Sequence, residues 1–208
     1  ACTARLRSRP NPWVGAVVVA QNGEVFTGAT LEPGNAHAEI VALNAAAHHA
    51  QDSTLFSTLE PCNHTGRTGP CTQAIIDAGV SRVVVGTLDP DSKVSGRGVQ
   101  QLRNAGLTVD VGVLEQEVKQ QLAAYLYHRA TGRPFVVLKM ASTIDGRIAA
   151  TDGSSKWITG ETARKRVHQL RAESDAIVVG AGTVRADDPS LTVRDADGPS
   201  PRRIVLGA

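Results

Sequence analysis

His37-Ala38-Glu39, followed further along by Pro61-Cys62 and then Cys71, offers one imidazole, one carboxyl and two thiols to a common site. An imidazole and two thiolates hold a zinc ion on three sides and leave the fourth position to water, which is the arrangement of a catalytic site and not of a closed structural one. His37, Cys62 and Cys71 are therefore the expected metal ligands. Glu39, two residues from the histidine, is the expected catalytic residue, carrying protons between that water and a substrate. The pattern H-x-E…P-C-x-x-C with a non-ligand Glu marks zinc nucleobase deaminases. This chain has the same parts with a longer gap between its cysteines, so the chemistry expected is hydrolytic deamination of a nitrogen heterocycle. Two blander readings stand beside it. A structural zinc could take His64 as fourth ligand, which would leave Glu39 without a role, or the cysteines could be buried apolar residues, against which the adjacent Pro and His argue. Cys2 lies outside the constellation.

These side chains need elements to position them. Residues 14–20 and 24–30 read as two strands around Asn22-Gly23, a tight hairpin turn. Residues 36–50, rich in Ala and Leu, read as a helix with His37 and Glu39 in its first turn. A strand over 54–58 feeds Pro61-Cys62, and a helix over 71–78 opens on Cys71, where the positive helix end favours thiolate. Strand 82–87, helix 98–104, strand 107–113 and helix 115–130 follow. The alternation predicts an α/β layered domain over 1–130. Gly132 and Pro134 then form a stop signal and a boundary. A second series runs from 134 to 208: strand 135–140, helix 161–173, strand 176–180 and a last strand 203–206.

Composition narrows the partners. With 22 basic against 20 acidic residues and a net charge of +2, nothing argues for a nucleic-acid surface. Aromatic residues are 3% of the chain, so the core must be built from Val, Ala, Leu and Ile. The apolar runs are too short for a membrane span. Thiols in a metal pattern, together with an odd cysteine count, fit a cytoplasmic enzyme better than a disulfide scaffold. Starting at Ala1 and stopping in the strand-like 203–206, the chain reads as a piece of a longer protein.

The loop Asn63-His64-Thr65-Gly66-Arg67-Thr68-Gly69-Pro70 is tethered to the metal pattern at both ends, so it must wall the pocket. Its His, Arg and Thr donors suit a phosphate or sugar, and the substrate expected is a base carrying a phosphosugar. This loop, with Pro10-Asn11-Pro12-Trp13-Val14-Gly15, Asp89-Pro90 and Val94-Ser95-Gly96-Arg97-Gly98, resembles the bifunctional riboflavin-biosynthesis deaminase/reductase family. The likeness covers nearly the whole chain. Gly69 stands where that family more often has Pro. The resemblance implies a cytidine-deaminase-like three-layer α/β/α sandwich over 1–130, followed by the N-terminal part of a dihydrofolate-reductase-like α/β domain over 134–208. It also implies zinc-dependent deamination of a diaminopyrimidinone bearing a phosphoribosylamino group, then reduction of the ribose by NADPH, in a homo-oligomer. By motif position, Asn11, His64, Arg67, Thr68 and Asp89 would line the deaminase pocket.

In the second half, Gly180-Ala181-Gly182 lacks the third glycine of a dinucleotide-binding turn, Arg185 standing in its place. Residues 139–147, 155–159 and 182–194 instead resemble the family's reductase. That resemblance implies that Ala141, Trp157, Thr183 and Asp187 touch NADPH, and that Ser155, Arg171, Leu191 and Arg194 hold substrate. Arg171 and Arg194 suit a phosphate, and Trp157 offers a ring face or simply packs. The family's reductase extends past residue 208. Two other functions remain open on the residues: deamination of a free base, nucleoside or tRNA base, and a zinc-stabilised binding module without catalysis.

Overall fold

Five apolar, β-branched stretches pair into one sheet: β1 (Gly15–Val19), β2 (Val25–Ala29), β3 (Thr54–Leu59), β4 (Arg82–Thr87) and β5 (Thr108–Val111). Each lies within two residues of the stretch expected. The computed structural model describes residues 1–65 and 69–207, which form two units, Ala1–Val136 and Val137–Ala208.

In the first unit the strand order is β2-β1-β3-β4-β5. β1 runs antiparallel to both β2 and β3, while β3, β4 and β5 are parallel. Parallel neighbours need crossovers, supplied by α2 (Cys71–Asp77) between β3 and β4 and by α3 (Arg97–Asn104) between β4 and β5. This register gathers chemistry at one edge. The start of β1 lies beside the ends of β2 and β3, and β4 ends beside β3, so residues 11–14, 30, 60–62 and 89 share one rim.

α1 (Ala38–Ala46) packs on β1 and β2 and touches α2. The helix is shorter than expected and continues as a 3-10 turn over Ala47–Ala50. His37 is not in its first turn: it precedes the helix as the N-cap residue, with extended backbone (φ −74°, ψ 165°). The opposite face of the sheet carries Val84 and Gly86 and receives Val118 of α4 (Glu115–Gln121), giving a helix–sheet–helix sandwich. Its core is aliphatic, with Val18, Leu55, Ile75, Val83, Val85 and Leu102 fully buried.

The single helix expected over 115–130 is two, α4 and α5 (Ala123–Thr131), broken at Leu122. The indole N–H of Trp13 donates to the Gln121 carbonyl at 3.1 Å, and the Gln121 side chain donates back to the Trp13 carbonyl at 3.3 Å. A side chain that takes a carbonyl from the helical ladder bends the helix there.

In the second unit, α6 (Glu161–Ala172) precedes β6 (Ala176–Gly180), which pairs in parallel with β7 (Arg202–Leu206). The glycine turn read at 180–182 instead opens α7 (Ala181–Asp187) within the crossover. The strand expected over 135–140 does not form. It has no pairing partner among the described residues, and Val136 and Leu138 stand exposed. No helix among the described residues is long and apolar enough to cross a membrane.

α1 approaches the sheet closely at Gly28, where a Cβ would collide with the Ala38 carbonyl and the Ala42 amide. Gly28→Ala is expected to cost about 1–3 kcal/mol in urea unfolding, because backbone must move to admit the methyl; an unchanged midpoint would contradict this packing.

Candidate active site

His37, Cys62 and Cys71 bring their ligating atoms within 4.8 Å of one another. The His37 Nδ1 lies 3.6 Å from the Cys62 Sγ and 3.3 Å from the Cys71 Sγ, and the Cys71 backbone N–H points at the Cys62 Sγ at 3.4 Å. Sheet register brings Cys62 to the rim, the start of α2 brings Cys71, and the segment entering α1 brings His37. Glu39, in the first turn of α1, is 3% exposed beside them.

Crowding these groups perturbs all four. The Cys71 thiol, by hydrogen bonding, holds the Cys62 thiol down to about 4, with the imidazole assisting. The same bond, with burial, drives Cys71 strongly upward, so the pair yields one proton readily and keeps the other. The hydrogen bond to Cys62 raises His37. Burial pushes Glu39 up to about 7. Two sulfurs, an imidazole and a buried carboxyl this close cannot all carry their preferred charges without a cation among them. The soft sulfur and imidazole donors fit zinc, and a three-donor set leaves it an open position. His64 is not part of the ligating cluster.

Around the cluster opens a cavity of about 280 Å³. Of the residues expected to line the deaminase pocket, Asn11, His64 and Asp89 do so, together with His37, Glu39 and Cys62. Arg67 and Thr68 lie outside the described residues. The cavity wall also includes Asn35, Glu60, Asp91, Tyr125 and Arg129, which the motif reading passed over. Tyr125 and Arg129 sit one turn apart on α5. That i, i+4 pairing of polar side chains was the one signal that could have marked them as a shared face.

In that wall, Glu60 is 3% exposed and accepts three backbone N–H bonds. The Asp89 and Gly96 amides reach its Oε2 at 3.2 and 2.9 Å, and the Val99 amide reaches its Oε1 at 3.1 Å. The carboxylate thus ties the end of β3 to the Asp89 loop and to the exposed amides at the start of α3.

In the second unit Arg171 and Arg194 converge on the buried His168. Its Nδ1 accepts the Arg194 backbone N–H at 3.2 Å and lies 3.5 Å from the Arg171 guanidinium. The Arg171 guanidinium also donates to the Thr192 carbonyl at 3.4 Å, next to the buried Leu191. Burial first, and then the Arg194 charge, lower the Arg171 pKa. Trp157 is 71% exposed and not packed in a core; the Arg164 guanidinium lies 4.3 Å from its ring centre. Ala141 and Ser155 lie in the irregular stretch before α6, and Thr183 and Asp187 occupy exposed positions of α7.

Residues 1–87 match the family model of the cytidine and deoxycytidylate deaminase zinc-binding region, the class that the sheet order and the open three-ligand cluster define. Residues 134–208 match the RibD C-terminal domain. The riboflavin biosynthesis protein RibD of Aquifex aeolicus is 51% identical over 187 residues, covering 90% of this chain and 52% of that protein. RibD of Bacillus amyloliquefaciens is 44% identical over 201 residues, covering 96% and 54%. Among solved structures, a diaminohydroxyphosphoribosylaminopyrimidine deaminase/5-amino-6-(5-phosphoribosylamino)uracil reductase from Thermotoga maritima superposes with a TM-score of 0.88 at 46% identity, covering 96% of this chain and 57% of that one. Acinetobacter baumannii RibD gives a TM-score of 0.86 at 41% identity, covering 97% and 58%. Both domain matches fall in one chain that is similar over nearly its whole length to RibD proteins. The chain spans about half the length of the curated relatives it matches.

Glu60→Ala is expected to lower stability by about 3 kcal/mol, since three amides lose a charged acceptor at once. Equilibrium urea unfolding measures this, and Glu60→Gln should recover part of the loss. A cost below about 1 kcal/mol would show that water replaces the carboxylate.

Proposed function

We propose that the chain catalyses zinc-dependent hydrolytic deamination of 2,5-diamino-6-(5-phosphoribosylamino)pyrimidin-4(3H)-one and carries part of an NADPH-dependent reductase that acts on the ribose of the product. The observation that carries this reading is the buried Glu39 beside the His37–Cys62–Cys71 cluster, opening into one cavity. The similarity to RibD proteins supports the substrate. On this reading the protein acts on a small molecule, in the cytoplasm and as a homo-oligomer; the similarity to riboflavin biosynthesis proteins supports the first of these.

His37, Cys62 and Cys71 would hold the zinc ion, which when bound supplies the Lewis acidity that makes water a nucleophile near neutral pH. Glu39 takes a proton from water as the C–O bond forms at the amino-bearing ring carbon. It delivers that proton to the ring nitrogen, then carries the remaining proton of the added hydroxyl to the amine as the C–N bond breaks, so that ammonia leaves and a ring carbonyl remains. Asn11, His64 and Asp89 orient the heterocycle and its sugar in the cavity, and Arg67 and Thr68 of the loop between the cysteines take the phosphate. In the second unit Arg171 and Arg194, with Ser155 and Leu191, hold the reductase substrate, while Ala141, Trp157, Thr183 and Asp187 contact NADPH. The buried Arg171 Nε, which has no hydrogen-bond partner among the described residues, supports an anion at that cluster.

Mass spectrometry of the zinc-loaded chain with this substrate, with and without NADPH, tests both halves. Deamination without NADPH is expected, and a further NADPH-dependent gain of two hydrogens would show a working reductase. Glu39→Gln should keep its zinc and lose roughly 10²–10⁴-fold in kcat. Full turnover in that variant, or none in the wild type with zinc bound, would remove the proposal.

A further inference from the structure

We infer that Tyr125 is a positioning residue of the deaminase cavity, its hydroxyl fixing the Asp89 carboxylate as the acceptor for an N–H or O–H group of the substrate. This rests on the deaminase reading above and extends the site to α5, a helix outside every motif in the first unit.

Asp89 lines the cavity yet is only 6% exposed, so its carboxylate has little water to solvate it. The Tyr125 hydroxyl donates to it, lying 3.0 Å from Oδ2 and 3.2 Å from Oδ1. The Asp91 backbone N–H donates to Oδ1 at 2.9 Å. An ionised carboxylate offers about four acceptor positions, so these bonds fix its plane and leave capacity towards the cavity. A substrate donor therefore meets an acceptor whose rotamer is already set, and ordering it costs nothing on binding.

Tyr125 is itself held. The Arg129 guanidinium lies 5.5 Å from its ring centre and pairs with Asp91 at 3.4 Å. Burial, and then the charge of Asp89, keep the phenol protonated and donating. The groups facing Asp89 are Asp91 on its own loop, Glu60 from the end of β3, and Tyr125 with its neighbour Arg129 from α5. Burial raises Asp89, the Asp91 amide and the Tyr125 hydroxyl pull it back, and the charges of Asp91 and Glu60 raise it. Removing the hydroxyl must therefore push Asp89 further up and shrink its ionised fraction in mildly acidic solution.

The test is steady-state deamination of the phosphoribosylaminopyrimidinone by the zinc-loaded 208-residue chain, for wild type, Tyr125→Phe, Asp89→Asn and the double variant. Tyr125→Phe should retain its zinc and raise KM roughly tenfold, the size of one hydrogen bond to a charged group, with kcat within about twofold. The acid limb of its kcat/KM profile should move to higher pH. In the Asp89→Asn background the same substitution should add nothing, because Tyr125 acts through Asp89. An unchanged KM, an equal effect in both backgrounds, or loss of zinc and fold in Tyr125→Phe would overturn the role, the last two making the hydroxyl a brace for α5. A wild type without turnover would instead overturn the deaminase reading, and this inference with it.

Discussion

The buried carboxylate of Glu60 is the constraint on which the geometry of the first unit turns. It stands two residues before Cys62, at the end of β3, and gathers amides from the Asp89 loop and the start of α3. A charge this deep persists only when its lone pairs are satisfied, so the surrounding backbone must hold one conformation. Gly98 completes the arrangement, because a Cβ there would collide with the Pro61 carbonyl. The segment leading into Cys62 is thereby pressed between a helix start and a strand end. The sulfur it carries arrives at the His37 imidazole as a consequence of that packing.

From this junction the site assembles by sheet register. Because β1 is antiparallel to β3 while β3 and β4 are parallel, residues far apart in the chain finish at one rim. Ligands in open α/β sheets bind outside the carboxyl ends of parallel strands, where diverging loops leave a crevice. The fourth wall comes from α5, set by the break at Leu122 and by the Trp13–Gln121 exchange. Trp13 follows directly on Pro12, so one pair of hydrogen bonds sets both the loop that carries Asn11 and the helix that carries Tyr125.

The second unit is organised differently. Its two-stranded sheet buries little, and its most ordered polar feature is the Arg171–His168–Arg194 cluster. Burial of the Arg171 guanidinium, and then the charge of the nearby Arg194, lower the Arg171 pKa, which makes the place suited to an anion.

The His37–Cys62–Cys71 cluster and the acid beside it were legible in the sequence because metal-ligating chemistry demands particular residue types at short range, whatever the fold around them. The five strands were legible for a similar local reason: β-branched runs between turn residues have few other conformations to adopt. The break in the helix at Leu122 was not, since it depends on an indole more than a hundred residues earlier capturing one carbonyl. Nor was the absence of a strand over 135–140, where apolar character satisfied the pattern but no neighbouring strand among the described residues supplies hydrogen bonds. Tyr125 and Arg129 read as an ordinary helix surface until the tertiary structure placed Asp89 and Asp91 against them. Local chemistry is written in adjacent residues, whereas the walls of a cavity are chosen by which distant segments the core brings to the same edge.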